Sequence, residues 1–186
     1  MSLVMAVICT DGIVVSGDFR RSRYVKDSKT GETKFEYYDD QHKIFRTSQN
    51  RIIGMTGTCN LKSGEPVNDV LKNLTEPNPE INFTIKNELG LLSSIVSGNN
   101  NSLLEVGIED GKKTFYVYTP TYGIEVVEKS AAIGATEELK KYKEKIDAEV
   151  KNVTVEEAKN LLRQYNELVA LHDPTVSRRC EFLTIA

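Results

Sequence analysis

Two kinds of apolar pattern alternate along this chain, short continuous runs and helical stripes. The chain opens on the first kind. Leu3–Cys9 and Ile13–Val15 are apolar runs separated by Thr10-Asp11-Gly12. Asp-Gly between apolar runs predicts a tight hairpin with a type I′ turn, which needs positive φ at its central residues. Neither run alternates with polar residues, so both faces of this hairpin are expected to be buried. Chain starts usually fray unless something ties them down. A terminus carried into the interior makes sense if it does chemistry. The next stretch, Ser22–Gln41, is polar and charged, and reads as a solvated loop with a turn at Thr30-Gly31. Its aromatic residues Phe35, Tyr37 and Tyr38 either fold back or meet another subunit.

The later pattern gives the rest of the elements. His42–Arg46 and Arg51–Gly57 are strands joined at Asn50. Val67, Val70, Leu71 and Leu74 share one helix face behind Pro66, and Pro77 and Pro79 break the chain. Ile85, Leu89, Leu92 and Val96 mark a second helix that ends at Gly98, with Gly90 weakening its interior. Leu104, Val106 and Ile108 alternate. Asp110-Gly111 turns that strand into Phe115–Tyr118, and Ile124–Val127 and Ala131–Gly134 follow as strands. Thr136 is expected to cap a helix with the stripe Leu139, Tyr142 and Ile146. Thr154 and Glu157 form a capping box ahead of Ala158, Leu161, Leu162, Tyr165, Leu168 and Val169. Asp173-Pro174 stops that helix, and Cys180–Ile185 is a terminal strand. Strand blocks separated by helix pairs predict layered sheets covered by helices, in one domain over residues 1–186.

Composition narrows the function. Lys+Arg 24 against Asp+Glu 27 gives a net charge of −3, without the basic excess that nucleic-acid binding needs. No run is long enough to span a bilayer, and no signal-peptide pattern opens the chain. The three cysteines, Cys9, Cys59 and Cys180, have no metal-like spacing and read as small buried groups in a reducing compartment. The expectation is a cytoplasmic protein with no metal or cofactor.

The chain resembles proteasome β-type subunits and bacterial proteasome-like peptidases, within the N-terminal-nucleophile hydrolases. The residues that carry the resemblance are Asp11-Gly12, Gly17-Asp18-x-Arg20 with Ser22, Lys43-Ile44, and Gly54-Met55-x-Gly57. The element order from Gly134 to the final strand adds to it. The resemblance implies an α+β fold, a four-layer αββα sandwich, and assembly into a ring-like homo-oligomer. It further implies a threonine-type peptidase acting on peptide or unfolded protein, with an ATPase unfoldase as a further partner.

Site residues follow from the same resemblance. Ser2 matches the nucleophile once Met1 is removed, since a free α-amine can act as the base for its own hydroxyl. Lys43 matches the lysine that lowers the pKa of hydroxyl and amine, and Asp18 the carboxylate that holds it. The Gly57 N–H matches the oxyanion-hole donor. Arg20, Thr136, Asp173 and Ser177 match supporting positions. The chain departs from the family in having Ser2 for threonine, an insertion around 26–40, Gly134-Ala135-Thr136 for Gly-Ser-Gly, and a spacing from Asp173 to Ser177 one residue too long. Asp18–Lys43 also reads as a structural ion pair, and Gly57 as a turn glycine. The alternatives to a peptidase are a catalytically silent subunit of the same fold, acting in assembly or partner binding, and a hydrolase of small amides.

Overall fold

The computed structural model describes residues 2–74 and 83–186, and of Leu74 the backbone only. The breaks expected at Pro77 and Pro79 lie outside the described residues. Two antiparallel sheets carry the fold. The first has the order β10-β1-β2-β11, from β1 (Leu3–Ile8), β2 (Ile13–Asp18), β10 (Ser130–Gly134) and β11 (Cys180–Ile185). The second has the order β5-β6-β7-β8-β9, from β5 (Ile44–Arg46), β6 (Ile52–Thr56), β7 (Ser102–Glu109), β8 (Lys112–Thr119) and β9 (Gly123–Val126). The described helices are α1 (Val67–Leu74), α2 (Ile85–Val96), α3 (Glu137–Lys140), α4 (Lys143–Glu149) and α5 (Val155–His172).

The pleat of β1 divides its side chains between two cores, because successive residues point to opposite faces. Leu3, Met5 and Val7 pack with Ala158, Leu162 and Val169 of α5. Val4 and Ala6 pack with Ile52, Leu104 and Phe115 of the second sheet. A third core joins the other side of that sheet to α1 and α2, through Ile53, Met55, Leu71, Leu89 and Leu92. The hairpin expected at the chain start is therefore buried on both faces. Its centre approaches β6 so closely that a Cβ on Gly54 would lie 2.6 Å from Val4 Cγ1.

The turn of this hairpin is not the expected type I′. Neither Asp11 nor Gly12 has positive φ. Cys9 N–H donates to the Gly12 carbonyl at 2.8 Å, and Asp11 Oδ1 accepts the Val155 N–H at the start of α5, also at 2.8 Å. Docking onto α5 sets the turn, and Gly12 is needed for space: a Cβ there would lie 2.4 Å from the Ile185 carbonyl oxygen. Asp110-Gly111, with no such docking, has φ of 50° and 73°, as the type I′ reading requires.

Three other expectations change. Residues 22–41 are not a loop but mostly a two-stranded ribbon, β3 (Arg20–Lys26) with β4 (Thr33–Asp39), exposed along most of its length. Alternation there was hard to read because neither face is apolar. The helix expected to carry Leu139, Tyr142 and Ile146 splits at Tyr142 into α3 and α4, and Thr136 makes no side-chain cap. Cys9 is buried, whereas Cys59 and Cys180 are only partly so. The capping box of Thr154 and Glu157 is present as read.

Candidate active site

Ser2 is held from both sides. Its carbonyl accepts the Ala135 N–H at 2.8 Å. Gly134 has φ of 92°, and a Cβ on it would lie 1.9 Å from that same carbonyl oxygen and 2.9 Å from Thr56 Cγ2. Only glycine fits there. On the other side, the next N–H, that of Leu3, donates to Asp18 Oδ1 at 2.8 Å. Ser2 itself is 4% exposed.

Asp18 gathers three separate parts of the chain. Besides Leu3, its Oδ2 accepts the N–H of Arg20 at 2.8 Å and of Ser177 at 3.1 Å. Burial nevertheless pushes the Asp18 carboxyl up, against the pull of these donors and of Lys43. Lys43 sits just before β5, with its Cβ against Gly17, where a further Cβ would approach it to 3.0 Å. Its carbonyl accepts the Met55 N–H, and its own N–H donates to Glu181 Oε1 at 3.3 Å. Burial pulls the Lys43 ammonium down, and the Asp18 charge opposes this. Asp18 and Lys43 act on each other through their charges, with no hydrogen bond between them. The direct ion pair expected from the sequence is replaced by three backbone donors on the carboxylate.

Gly57 follows Thr56, the last residue of β6, whose methyl lies beside Gly134. Its φ is 117°, and a Cβ would meet the Asn100 carbonyl oxygen at 2.7 Å, so it is bound to glycine twice over.

The supporting residues divide. Arg20 pairs with Asp39 at 2.7 and 3.0 Å and donates to the Pro174 carbonyl at 3.0 Å. Ser177 is fully buried, and its hydroxyl donates to Asp39 Oδ2 at 3.0 Å. Arg20 holds the Asp39 carboxyl below the usual carboxylate range. Asp173 stays in its own turn, where Oδ1 accepts the Thr175 N–H and hydroxyl at 2.8 and 2.5 Å. Thr136 turns away, into the wall of an apolar cavity of about 270 Å³ between β1 and α3–α5.

Asp39, Glu181 and Gly134 were not singled out as parts of the site. A signal for Asp39 existed. Arg20-Arg21 and Asp39-Asp40 lie on either side of Thr30 at equal spacing, and opposite charges so placed suit the two arms of a hairpin. Arg21 does pair with Asp40, at 2.6 and 2.9 Å.

No family model matches this chain, and no curated protein does. Solved structures do. Anbu (ancestral beta-subunit) from Yersinia bercovieri superposes with a TM-score of 0.70 at 13% identity, covering 98% of this chain and 81% of that one. An Anbu mutant from Hyphomicrobium sp. strain MC1 gives 0.65 at 14% identity, covering 100% and 81%. The chain therefore has a proteasome-like fold. These neighbours correct the resemblance read from the sequence: they are Anbu proteins, proteasome-like but distinct from the proteasome β-type subunits. Among the described residues no helix is long and apolar enough to cross a membrane.

Proposed function

We propose that this protein is a proteasome-like N-terminal-nucleophile hydrolase that cleaves peptide amide bonds with Ser2. The observation that carries the reading is the seating of Ser2, buried between Gly134 and an Asp18-bonded Leu3. With Met1 removed, the Ser2 α-amine takes the proton of its own hydroxyl, and Oγ attacks the substrate carbonyl. The Gly57 N–H receives the developing oxyanion. The protonated amine then gives its proton to the leaving amine, and water, deprotonated by the same amine, hydrolyses the ester. The buried Lys43 charge favours the ionised hydroxyl, and Asp18 and Ser177 keep the chain start in register.

The three apolar cores support a four-layer αββα stacking of helices and sheets. The Yersinia bercovieri neighbour is an ancestral beta-subunit, which supports assembly into a ring-like homo-oligomer. The three free cysteines support a cytoplasmic location.

The test is peptide-amide hydrolysis by a chain that begins at Ser2, beside the same chain with Lys43→Ala. The expected result is activity in the first and a loss of about 100-fold or more in the second. Equal activity in both, or none in either, overturns the reading. The enclosure of Asp173 in its own turn favours a second reading, a catalytically silent subunit. Labelling of Ser2 by an inhibitor that reacts with N-terminal nucleophiles rules it out.

A further inference from the structure

Beside the candidate site lies a groove of about 580 Å³, bounded by Arg21, Ser22 and Arg23 of β3, by Gln41, and by Cys59 and Asn60 beyond Gly57. Its wall begins one residue past Arg20 and two past Gly57, which sets it next to the candidate site along the chain. The lining is rich in donors. Cys59 donates its thiol hydrogen to Gln41 Oε1 at 3.1 Å, which uses the Gln41 acceptor and leaves its NH₂ as the free end of the amide. Arg21 is charge-matched by Asp40. Arg23 is exposed and makes no salt bridge among the described residues, although its charge reaches Tyr38 beside it. The residue opposite it across the ribbon is Glu36, whose Oε2 accepts the Tyr38 hydroxyl at 2.5 Å instead.

We infer that this groove selects substrates with an acidic side chain next to the scissile bond, and that Arg23 is the residue that sets the preference. The inference rests on the hydrolase reading for its location, but selectivity and cleavage can be separated. A carboxylate supplies acceptors and one negative charge, which the unpaired guanidinium and the amide NH₂ complement. A lysine or arginine side chain brings only donors against donors, and an apolar one leaves Arg23 and Gln41 desolvated without partners.

The experiment has two measurements. Fluorescence anisotropy reads the binding of labelled product-like peptides ending in Glu, Gln, Leu or Arg to the full chain. Hydrolysis of the matching peptide amides is measured with the chain that begins at Ser2. Glu is expected to exceed Gln by about tenfold in affinity and in kcat/KM. Arg23→Glu is expected to abolish that preference and favour Arg. Arg23 is exposed, so this variant keeps the fold, and circular dichroism checks it. Binding of Gln equal to Glu, or an unchanged preference in Arg23→Glu, overturns the inference. A retained Glu preference in binding without hydrolysis supports the groove assignment and overturns the hydrolase reading. Hydrolysis with no preference does the reverse.

Discussion

Two hairpins follow one another in this chain, and they obey different rules. β1–β2 is buried on both faces and lies in the middle of a four-stranded sheet. β3–β4 forms a sheet of two strands and is exposed on both faces. The first is held by packing, with its apolar side chains shared between two cores. The second is held by contacts across and along its strands: Tyr24 lies 4.1 Å from Phe35 between ring centroids, Phe35 stacks on Tyr37 of the same strand, and Arg20 and Arg21 pair with Asp39 and Asp40. An isolated two-stranded hairpin is marginal in water, so the ribbon depends on its anchored base. The hairpins meet at Asp18–Arg20, where the carboxylate of one strand accepts the N–H of the next. A buried element thus places the proposed nucleophile, and a largely exposed one lines the groove.

The largest expected effect lies in the buried region. Gly134→Ala forces a methyl against the Ser2 carbonyl at a left-handed position, and is expected to cost roughly 3–5 kcal/mol in chemical denaturation. Ile13→Ala, at a fully buried site, is expected to cost about 3 kcal/mol by the same measurement. A loss under 1 kcal/mol in either would show that the first hairpin is less tightly packed than described.

The turns sharpen the comparison. Gly12→Ala meets the Ile185 carbonyl oxygen and is expected to cost roughly 2 kcal/mol. Gly111→Ala has open space around it and only the left-handed backbone to oppose it, for about 1 kcal/mol. The reverse order would mean that close approach matters less here than φ.

Burial also creates a liability. Glu105 on β7 is 0% exposed, with Arg51, Glu88 and Glu109 around it, and neither of its carboxylate oxygens is hydrogen-bonded. Burial, then the charge of Glu88, push its carboxyl well above the ordinary value of 4.5. The folded chain keeps this proton where the unfolded chain loses it, so stability falls as pH rises above that value. Glu105→Gln is expected to flatten that slope and to stabilise the protein by about 1 kcal/mol at pH 8, read from denaturation curves at pH 5 and pH 8. A steeper slope in the variant would show that Glu105 is ionised and serves Arg51. The smallest effect belongs to the ribbon: Tyr24→Ala, at 68% exposure, is expected to change stability by no more than about 0.5 kcal/mol.

Much of this was legible beforehand. Periodicity located the buried first hairpin, α1, α2, α5 and the final strand, because each displays its apolar face within a few residues. Asp110-Gly111 declared its turn because nothing outside the hairpin constrains it. Other features depend on partners distant in sequence. Asp11-Gly12 has the same local signal, yet α5 and Ile185 decide its geometry. The motif residues Ser2, Asp18, Lys43 and Gly57 could be named from their order, but not the three N–H donors on Asp18.

The sequence by itself determined most of the strands and helices, apart from the ribbon β3–β4 and the break at Tyr142, since those follow from residue type and short-range spacing. Only the tertiary structure decided that Ser177 reaches Asp18, that Asp39 takes the Ser177 hydroxyl, that Asp173 stays in its own turn, and that Glu105 is buried without a hydrogen bond, 3.6 Å from Arg51 Nη1. Contacts of that kind join residues as far as 159 positions apart. They are set by how whole sheets and helices pack, which no local window of the chain contains.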